Sequence, residues 1–407
     1  MPTEIPSTAD LKYAIRSNRR EFLHDAGIVG AGLAFAPWVA GFGANAAEQT
    51  SSNMIVHTTS PLNSEPQLGE LAKSWITPVE SFYVRSHAPN PKIDPAAFRL
   101  TVEGLIDKPL SISLAELSSS FEETSIVATM TCAGNRRSEH SLIKPVGGVP
   151  WQAGAIGNAR WSGVRLSDVL KKAGLKEEAK HVWFEGLDEI SHGSGIIPFG
   201  ASIPVSKAMA DADSMPGALL TTKMNDQPLT PDHGAPLRGV VPGYIGARSV
   251  KWLGKIVVSN RPSPNHYVAT AYKLVQEGTP VEWDESGPLY RFPLNSVICV
   301  PAANSKVPKG KVAVAGYALP SGTPGTSISK IEVSADGGRS WITAKITSPV
   351  REHCWVLWKA DVTLPSSASE LIVRATDSRG DGQPEHGQWN LKGYMFNGWY
   401  HVPVRGE

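Results

Sequence analysis

The residues with the clearest chemical potential lie in one short segment, Met130-Thr131-Cys132-Ala133-Gly134-Asn135-Arg136-Arg137. The segment follows a β-branched run and contains a turn-prone Gly-Asn pair, which places the thiol at a strand end beside two guanidinium groups. Nearby positive charge stabilises a thiolate over a thiol, and the thiolate is the form that attacks carbon or binds a soft metal. The segment therefore predicts either a cysteine nucleophile or a metal ligand.

The two alternatives make different demands on the rest of the chain. A cysteine nucleophile needs a histidine base that a third group orients. His140, His181, His192 and His233 carry no local signature of such a base. Two arginines beside the sulfur suit anion binding better, because planar guanidinium groups match oxyanions bidentately. The pattern favours an anion site and leaves the nucleophile open.

Length and charge limit the classes of protein that this chain can represent. At about 150 residues per domain, 407 residues predict two domains plus a tail. The formal net charge of +1 provides no global field for nucleic acid or anionic membrane. Cys132, Cys299 and Cys354 are too few for a disulfide framework and fit no zinc spacing. Pairing of Cys299 with Cys354 is compatible only with an oxidising compartment.

The N-terminus has the features of an export signal. Asn18-Arg19-Arg20-Glu21-Phe22-Leu23 precedes an apolar run over 26–40, and Ala44-Asn45-Ala46 follows as a small-x-small cleavage site. This order looks like a twin-arginine signal peptide over residues 1–46, followed by a flexible linker over 47–60. Since that route exports folded proteins, it predicts a periplasmic protein whose cofactor is inserted before export.

The remaining chain divides by its local patterns. Residues 61–292 mix strand-like segments with a capping box at Ser113-Leu114-Ala115-Glu116 and an amphipathic helix over 164–173 that ends at Gly174. This part is predicted to be α+β. Over 293–407, short β-rich segments recur without a helical period, and Asp336-Gly337-Gly338 indicates a hairpin. That spacing predicts an immunoglobulin-like sandwich.

The Cys132 segment resembles the hallmark Cys-Ala-Gly-Asn-Arg-Arg of the sulfite oxidase family. Further segments carry the same likeness in family order along nearly the whole mature chain: Tyr83-Val84-Arg85-Ser86-His87, Phe184-Glu185-Gly186-Leu187-Asp188, Gly200-Ala201-Ser202-Ile203-Pro204, Asp232-His233-Gly234-Ala235-Pro236-Leu237-Arg238, Gly246-Ala247-Arg248-Ser249-Val250-Lys251-Trp252-Leu253-Gly254 and Trp389-Asn390-Leu391-Lys392-Gly393. The resemblance implies an α+β molybdopterin-binding domain of the sulfite oxidase type followed by an all-β immunoglobulin-like dimerisation domain, and therefore a homodimer.

The resemblance also implies roles for individual residues. Cys132 would bind molybdenum, with the rest of the metal's coordination supplied by molybdopterin and oxo groups. The residues that would line the substrate's anion pocket are Arg85, Arg137, Trp151 and Tyr272. The residues that match cofactor-binding positions are Tyr83, Arg85, His87, Asp188, His233, Arg238, Ser249 and Lys251.

One segment departs from the family pattern. Near the C-terminus, where sulfite oxidases resemble Asn-x-Trp-His-Arg-Val, this chain has Asn397-Gly398-Trp399-Tyr400-His401-Val402. This alignment places His401 where a third pocket arginine is expected. Because a histidine is only partly charged near neutral pH, anion binding is expected to be weaker or pH-dependent.

The expected reaction is oxygen-atom transfer that oxidises sulfite to sulfate. The sequence contains no Cys-x-x-Cys-His haem site, so the electron acceptor is expected to be external, and a periplasmic c-type cytochrome is our hypothesis. The alternatives are a molybdoenzyme of the same family that acts on nitrate or an S-oxide, and a non-catalytic periplasmic binding protein that holds no stoichiometric molybdenum.

Overall fold

The computed structural model describes residues 53–212, 215–275, 287–365 and 368–407. Residues 51–407 form one compact unit. The predicted signal peptide over 1–46 lies outside the described residues. The prediction of a flexible linker over 47–60 is wrong for the residues that the structure describes, because Met54–Thr59 forms a strand that pairs antiparallel with Leu62–Pro66.

The part of the chain up to residue 275 combines short helices with strands. Its helices are α1 (Leu68–Leu71), α2 (Leu114–Ser120), α3 (Arg137–Ile143), α4 (Leu166–Ala173), α5 (Val205–Ala208) and α6 (His266–Ala269), with 3-10 turns at Val79–Ser81, Pro231–His233 and Gly246–Arg248. Its strands are β1 (Met54–Thr59), β2 (Leu62–Pro66), β3 (Val84–Arg85), β4 (Leu100–Gly104), β5 (Leu110–Ile112), β6 (Glu123–Thr131), β7 (Ile156–Arg165), β8 (His181–Gly186), β9 (Ile190–His192), β10 (Gly195–Ile197), β11 (Gly200–Pro204), β12 (Asp211–Ala212), β13 (Met215–Pro216), β14 (Leu219–Met224), β15 (Gln227–Pro228), β16 (Arg238–Val240) and β17 (Leu253–Ser259).

Two five-stranded sheets organise this part. One has the order β11-β8-β17-β4-β5, with β17 parallel to β4, and the other has β15-β14-β7-β6 with β16 attached to β14. The N-terminal strands β1, β2 and β3 form a separate three-stranded sheet. Apolar side chains of β4, β8, β17 and α4 share one buried cluster, which fixes the strand ends that carry polar residues.

The C-terminal part is built from strands. They are β18 (Asn295–Val300), β19 (Lys306–Val307), β20 (Lys311–Leu319), β21 (Ile328–Ser334), β22 (Ile342–Thr343), β23 (Lys345–Ile346), β24 (Val356–Thr363), β25 (Ala368–Asp377) and β26 (Tyr400–Gly406). Sheets of order β18-β20-β24-β23 and β19-β26-β25-β21-β22 enclose a common apolar core. This arrangement confirms the predicted β-sandwich.

Local predictions for the first part are confirmed with one shift. The capping box at the start of α2 is present, since Glu116 N donates to Ser113 Oγ at 3.2 Å and Ser113 N donates to Glu116 Oε2 at 2.8 Å. The predicted helix over 164–173 begins at Leu166, because its first two residues continue β7. Gly174 follows it with φ +74°, the left-handed region that favours glycine.

The remaining cysteines do not pair. Cys299 and Cys354 are both free and buried, so the disulfide considered between them is absent. Cys354 Sγ instead donates to the carbonyl oxygen of Val127 at 3.1 Å. Burial raises the pKa of both thiols to about 12, which leaves them protonated at neutral pH. No described helix combines the length and apolarity that a transmembrane span requires.

Candidate cofactor site

Cys132 lies where β6 ends, at the start of residues 132–138, which we call the Cys-loop. The four residues of β6 before it are buried, so the strand delivers the thiol into the interior, where Cys132 is 9% exposed. The backbone N–H of Gly134 points at Cys132 Sγ at 3.4 Å. The strand end and this amide contact fix the position of the sulfur.

The Cys-loop packs against residues 149–156, which we call the Trp-loop. Cys132 N donates to the carbonyl of Ala155 at 2.9 Å, and Ala155 N donates to Asn135 Oδ1 at 3.0 Å. Gly134 leaves room for the Arg137 guanidinium, because a Cβ there would lie 2.6 Å from Arg137 Nη2 and displace that group. The two loops therefore hold the sulfur and the arginine in a fixed relation.

A cleft with a cavity volume of about 70 Å³ opens beside Cys132. Ten of the residues predicted from the sequence line it: Cys132, Arg85, Tyr272, Tyr83, His87, Asp188, His233, Arg238, Ser249 and Lys251. They come from β3, β16, the end of β6 and three separate loops, and the fold brings them together. Arg137, Trp151 and His401 are not among the lining residues.

The cations of this cleft are held by neutral acceptors. Arg238 donates to the carbonyls of His233 at 2.9 Å and Ser249 at 3.2 Å. Lys251 Nζ donates to Ser86 Oγ at 2.6 Å and the carbonyl of Asp232 at 2.9 Å, and Arg85 donates to Asn63 Oδ1 at 3.0 Å. Within the part of the chain that the structure describes, no carboxylate forms an ion pair with these three cations. Their charge is left for an external anion.

The pKa values in the cleft record this excess of positive charge. Burial, followed by repulsion from Arg238, lowers the pKa of Lys251 to about 7 and that of His233 to about 4. Burial also lowers the pKa of Arg238 to about 10, and burial with the Arg85 charge lowers that of His87. Asp188, which accepts from Phe199 N at 3.0 Å, has its pKa raised by burial. An anion bound here would relieve the repulsion among the cations.

An aromatic stack joins the cleft to Arg137. Tyr272, at φ +53°, lines the cleft and lies 3.3 Å from His87 Nε2 through its hydroxyl. Its ring stacks on Tyr394 at 5.2 Å between centroids and 15° between planes, and the Arg137 guanidinium lies 5.2 Å from the Tyr394 centroid. Arg137 also donates to the carbonyls of Val149 at 2.9 Å and Lys392 at 3.2 Å. Arg137 is thus part of the wall behind the cleft.

Arg136 contradicts the expectation that both arginines face the anion. It has φ +67°, is fully buried, and forms two 2.7 Å hydrogen bonds with the Glu139 carboxylate. It also donates to Asn295 Oδ1 at 2.7 Å and to the carbonyl of Gly398 at 2.8 Å. These acceptors turn it towards the C-terminal part of the chain, so only Arg137 of the pair faces the cleft's wall.

Trp151 is fully buried beside the cleft. Its ring lies edge-on to Tyr83, a lining residue, at 6.5 Å between centroids. Its indole Nε1 has no hydrogen-bond partner. A buried donor without an acceptor is costly, and such donors are found where a ligand supplies the missing acceptor.

The prediction that His401 supplies a third pocket cation is wrong. His401 lies on β26 opposite Ile372 and is exposed. Its Nδ1 lies 3.3 Å from Glu370 Oε2 on the sandwich surface. The side chains of β26 alternate between core and solvent, and the register places Val402 inside and His401 outside.

The sequence analysis missed several lining residues. Phe82, Ser86, Met130, Phe199, Asp232 and Trp252 also face the cleft. Ser86, Asp232 and Trp252 lie within the segments that carry the family likeness, so the segments themselves were the available signal. Phe82 and Phe199 adjoin such segments. Tyr394 follows Gly393 directly, and nothing in its local sequence distinguishes it from a core residue.

The side chains fit an anionic cofactor that is held through sulfur. Three cations lack carboxylate partners, and Cys132 offers a soft donor at the same cleft. Thiolate suits soft and transition metals, whereas cationic side chains and serine hydroxyls suit a phosphate. Neither feature requires the histidine base that a cysteine nucleophile needs.

Comparisons with known proteins agree with this donor set. Residues 87–267 match a family model described as the oxidoreductase molybdopterin binding domain, and residues 287–407 match the Mo-co oxidoreductase dimerisation domain. The chain is 40% identical to a sulfite oxidase of Gallus gallus over 85% of this chain and 76% of that protein. It is 40% identical to a mitochondrial sulfite oxidase of Macaca fascicularis over 86% of this chain.

The match to the macaque protein covers 65% of its length, so the chain spans less than two thirds of that relative. Among solved structures, the sulfane dehydrogenase SoxCD of Paracoccus pantotrophus is similar, with a TM-score of 0.73 and 25% identity. That likeness covers 91% of this chain and 95% of the other. It extends through both parts of the fold.

Proposed function

We propose that this chain, which belongs to the sulfite oxidase family of molybdopterin oxidoreductases, oxidises sulfite to sulfate. The observation that carries the proposal is the cleft beside Cys132, where Arg85, Arg238 and Lys251 lack carboxylate partners. A binding protein without a cofactor would have no use for a soft sulfur donor at the wall of such a cleft.

Each group of residues has a proposed task. Cys132 would hold the metal, and Arg238, Lys251, Ser249 and His233 would hold the phosphate and ring of molybdopterin. Tyr83, His87 and Asp188 would complete that cofactor site. When bound, the molybdenum cofactor supplies two-electron oxygen-atom transfer. The protein contributes placement and charge.

The substrate pocket would use the remaining predicted residues. Arg85 would bind the oxygens of sulfite from the cleft, and Arg137 would reach them from the wall behind Tyr394. Tyr272 would hold a hydrogen bond near the reacting atoms while His87 orients its hydroxyl. Burial raises the pKa of Tyr272, which keeps the phenol protonated and able to donate. Trp151 would close the pocket on the side of Tyr83 and exclude water.

The decisive experiment joins metal analysis to turnover. We expect purified protein to contain stoichiometric molybdenum and pterin and to reduce an artificial acceptor in the presence of sulfite. Nitrate and an S-oxide should serve as the comparison substrates. If the protein contains the cofactor but turns over only nitrate or only the S-oxide, it belongs to another branch of the family. If it contains no molybdenum, the proposal is contradicted.

Replacing the sulfur tests its role directly. Cys132→Ser should abolish sulfite turnover, because a hydroxyl is a hard donor that does not replace a thiolate on this metal. Cys299→Ser is the matched control, since Cys299 is also buried and free but lines no part of the cleft. Intact turnover in Cys132→Ser would refute the assignment of Cys132 as ligand.

We also propose that residues 1–46 are a twin-arginine signal that directs the folded protein to the periplasm. The supporting observation is the order of charge, apolar run and cleavage site in the sequence. N-terminal sequencing of the protein recovered from the periplasmic fraction should begin near residue 47. Replacement of Arg19 and Arg20 by lysine should leave the protein in the cytoplasm.

The electron acceptor and the assembly follow from the same proposal. A periplasmic c-type cytochrome would take the two electrons one at a time, and the dimerisation module over 287–407 supports a homodimer. Failure of sulfite-reduced enzyme to reduce any such cytochrome of its host would contradict the acceptor. A monomeric mass in solution would contradict the dimer.

A further inference from the structure

A buried carboxylate from the N-terminal hairpin reaches the back of the Trp-loop. Glu65 lies on β2 and is 0% exposed. Its Oε1 accepts from Gln152 N at 2.7 Å and from His57 Nε2 at 2.7 Å, and its Oε2 accepts from Gly154 N at 2.7 Å. Three donors therefore converge on one carboxylate, which satisfies a charge that would otherwise be costly to bury.

The local sequence is suited to this contact. A Cβ at Gly154 would lie 2.6 Å from the carbonyl oxygen of Pro66 and 2.9 Å from Glu65 Oε2, so only glycine lets the two backbones approach. The His57 ring also packs edge-on against Trp151 at 5.0 Å between centroids. Glu65 and His57 together hold both the backbone of the Trp-loop and its indole.

The Trp-loop is hydrogen-bonded in turn to the Cys-loop. Arg136 N donates to the carbonyl of Gln152 at 2.6 Å, and Ser138 N donates to the carbonyl of Trp151 at 2.9 Å. Both carbonyls belong to residues that Glu65 or His57 contacts. Cys132 N donates to Ala155 one residue beyond Gly154. The carboxylate thus lies within one peptide unit of the hydrogen bonds that the Trp-loop accepts from Cys132, Arg136 and Ser138, and the last two of these residues flank Arg137.

We propose that Glu65, supported by His57, is a positioning residue that sets the geometry of the Cys-loop and so the placement of Cys132 and Arg137. The inference rests on the proposed function for its effect on turnover. Its structural effect does not depend on that function. Glutamine at position 65 has the same shape but keeps only one acceptor oxygen, so its NH₂ group must face at least one of the three donors, which removes an acceptor and adds a repulsive contact.

The test compares Glu65→Gln with Glu116→Gln in the full-length protein as isolated. Glu116 also accepts from a backbone amide, at 2.8 Å, but it caps α2 away from the cleft, which makes it the matched control. In Glu65→Gln, amide hydrogen exchange at Gln152 and Gly154 should accelerate roughly tenfold or more, and the increase should extend to Cys132. Glu116→Gln should leave these amides unchanged.

Turnover provides the second measurement. Sulfite kcat per bound molybdenum should fall roughly tenfold in Glu65→Gln, because displaced catalytic groups lose transition-state contacts, while KM changes less. His57→Phe keeps the ring against Trp151 and removes one donor, so it should give a smaller change in the same direction. This milder variant also decides the matter should Glu65→Gln not fold.

Unchanged exchange in the Cys-loop of both Glu65 and His57 variants would overturn the proposal. Altered exchange with normal kcat per molybdenum would overturn its catalytic part. Absence of molybdenum from the wild-type protein would instead contradict the proposed function, and the exchange measurement would still decide whether Glu65 positions the loop.

Discussion

Two buried arginines in the same part of the fold, Arg136 and Arg238, differ in whether a carboxylate of the protein neutralises their charge. Arg136 has a carboxylate partner, Glu139, and further acceptors in Asn295 and Gly398. Burial by itself would lower its pKa, but Glu139 more than offsets burial, so the pKa is raised. Arg238 donates to carbonyl oxygens and a thioether and lies 5.0 Å from the centroid of the Trp161 ring, and burial lowers its pKa to about 10.

The difference separates a structural cation from a ligand-binding one. A buried charge that the protein neutralises itself stabilises the fold around it, whereas a buried charge without a counterion lowers the stability of the protein in the absence of its ligand. The Arg136 region joins the two halves of the chain. The Arg238 region holds a buried charge without a counterion, which the proposed anionic cofactor would neutralise.

The largest expected effect concerns the stability of cofactor-free protein. Arg136→Met should lower the free energy of unfolding by on the order of 3 kcal/mol, because it leaves Glu139 and two further acceptors without their donor. Arg238→Met should lower it by clearly less, since it also removes an unneutralised charge. Equilibrium urea unfolding measures both, and an equal or larger loss for Arg238→Met would break the comparison.

A smaller change, on the order of 2.7 kcal/mol in the activation free energy of sulfite oxidation, is expected for a variant of Arg137. Arg137→Met should reduce kcat/KM for sulfite by about 10²-fold in metal-replete protein, comparable with removal of one oxyanion-hole donor. Arg137→Lys keeps the charge and loses the planar fork, so it should recover only part of the activity. Near-normal kinetics of the methionine variant would refute a role for Arg137 in sulfite binding.

A third effect is a pH dependence of the stability of the cofactor-free protein. The pKa of Lys251 is about 7 in the folded protein against 10.5 for a free lysine. Between these values the unfolded chain binds more protons than the folded one, so stability should rise as the pH rises from about 7 towards 10. Lys251→Met should flatten this rise in thermal unfolding, and the exposed Lys255→Met should not. Equal slopes for Lys251→Met and wild type would contradict the assignment.

The cleft was predictable because its residues lie in short segments that resemble the sulfite oxidase family. Arg85, Asp188 and Lys251 are far apart in sequence, and only the family likeness, not a local pattern, grouped them. The sandwich was predictable for a different reason, since alternating apolar residues fix which face of a strand is buried.

The failures have a different origin. Arg136 and Arg137 are indistinguishable in the sequence, and only the left-handed backbone at Arg136 turns one guanidinium away from the other. The prediction for His401 was wrong because a shift of one residue along a strand moves a side chain from the core face to the solvent face. Tyr394 and Glu65 act through partners distant in sequence, which no local pattern records.

The Arg136 contacts have a consequence for maturation. Two of its carbonyl acceptors belong to Gly398 and Trp399, more than 260 residues further along the chain. The segment that carries Cys132 therefore acquires these contacts only after the last strand has been synthesised and has docked. A ribosome-bound or C-terminally truncated chain lacks these acceptors for Arg136.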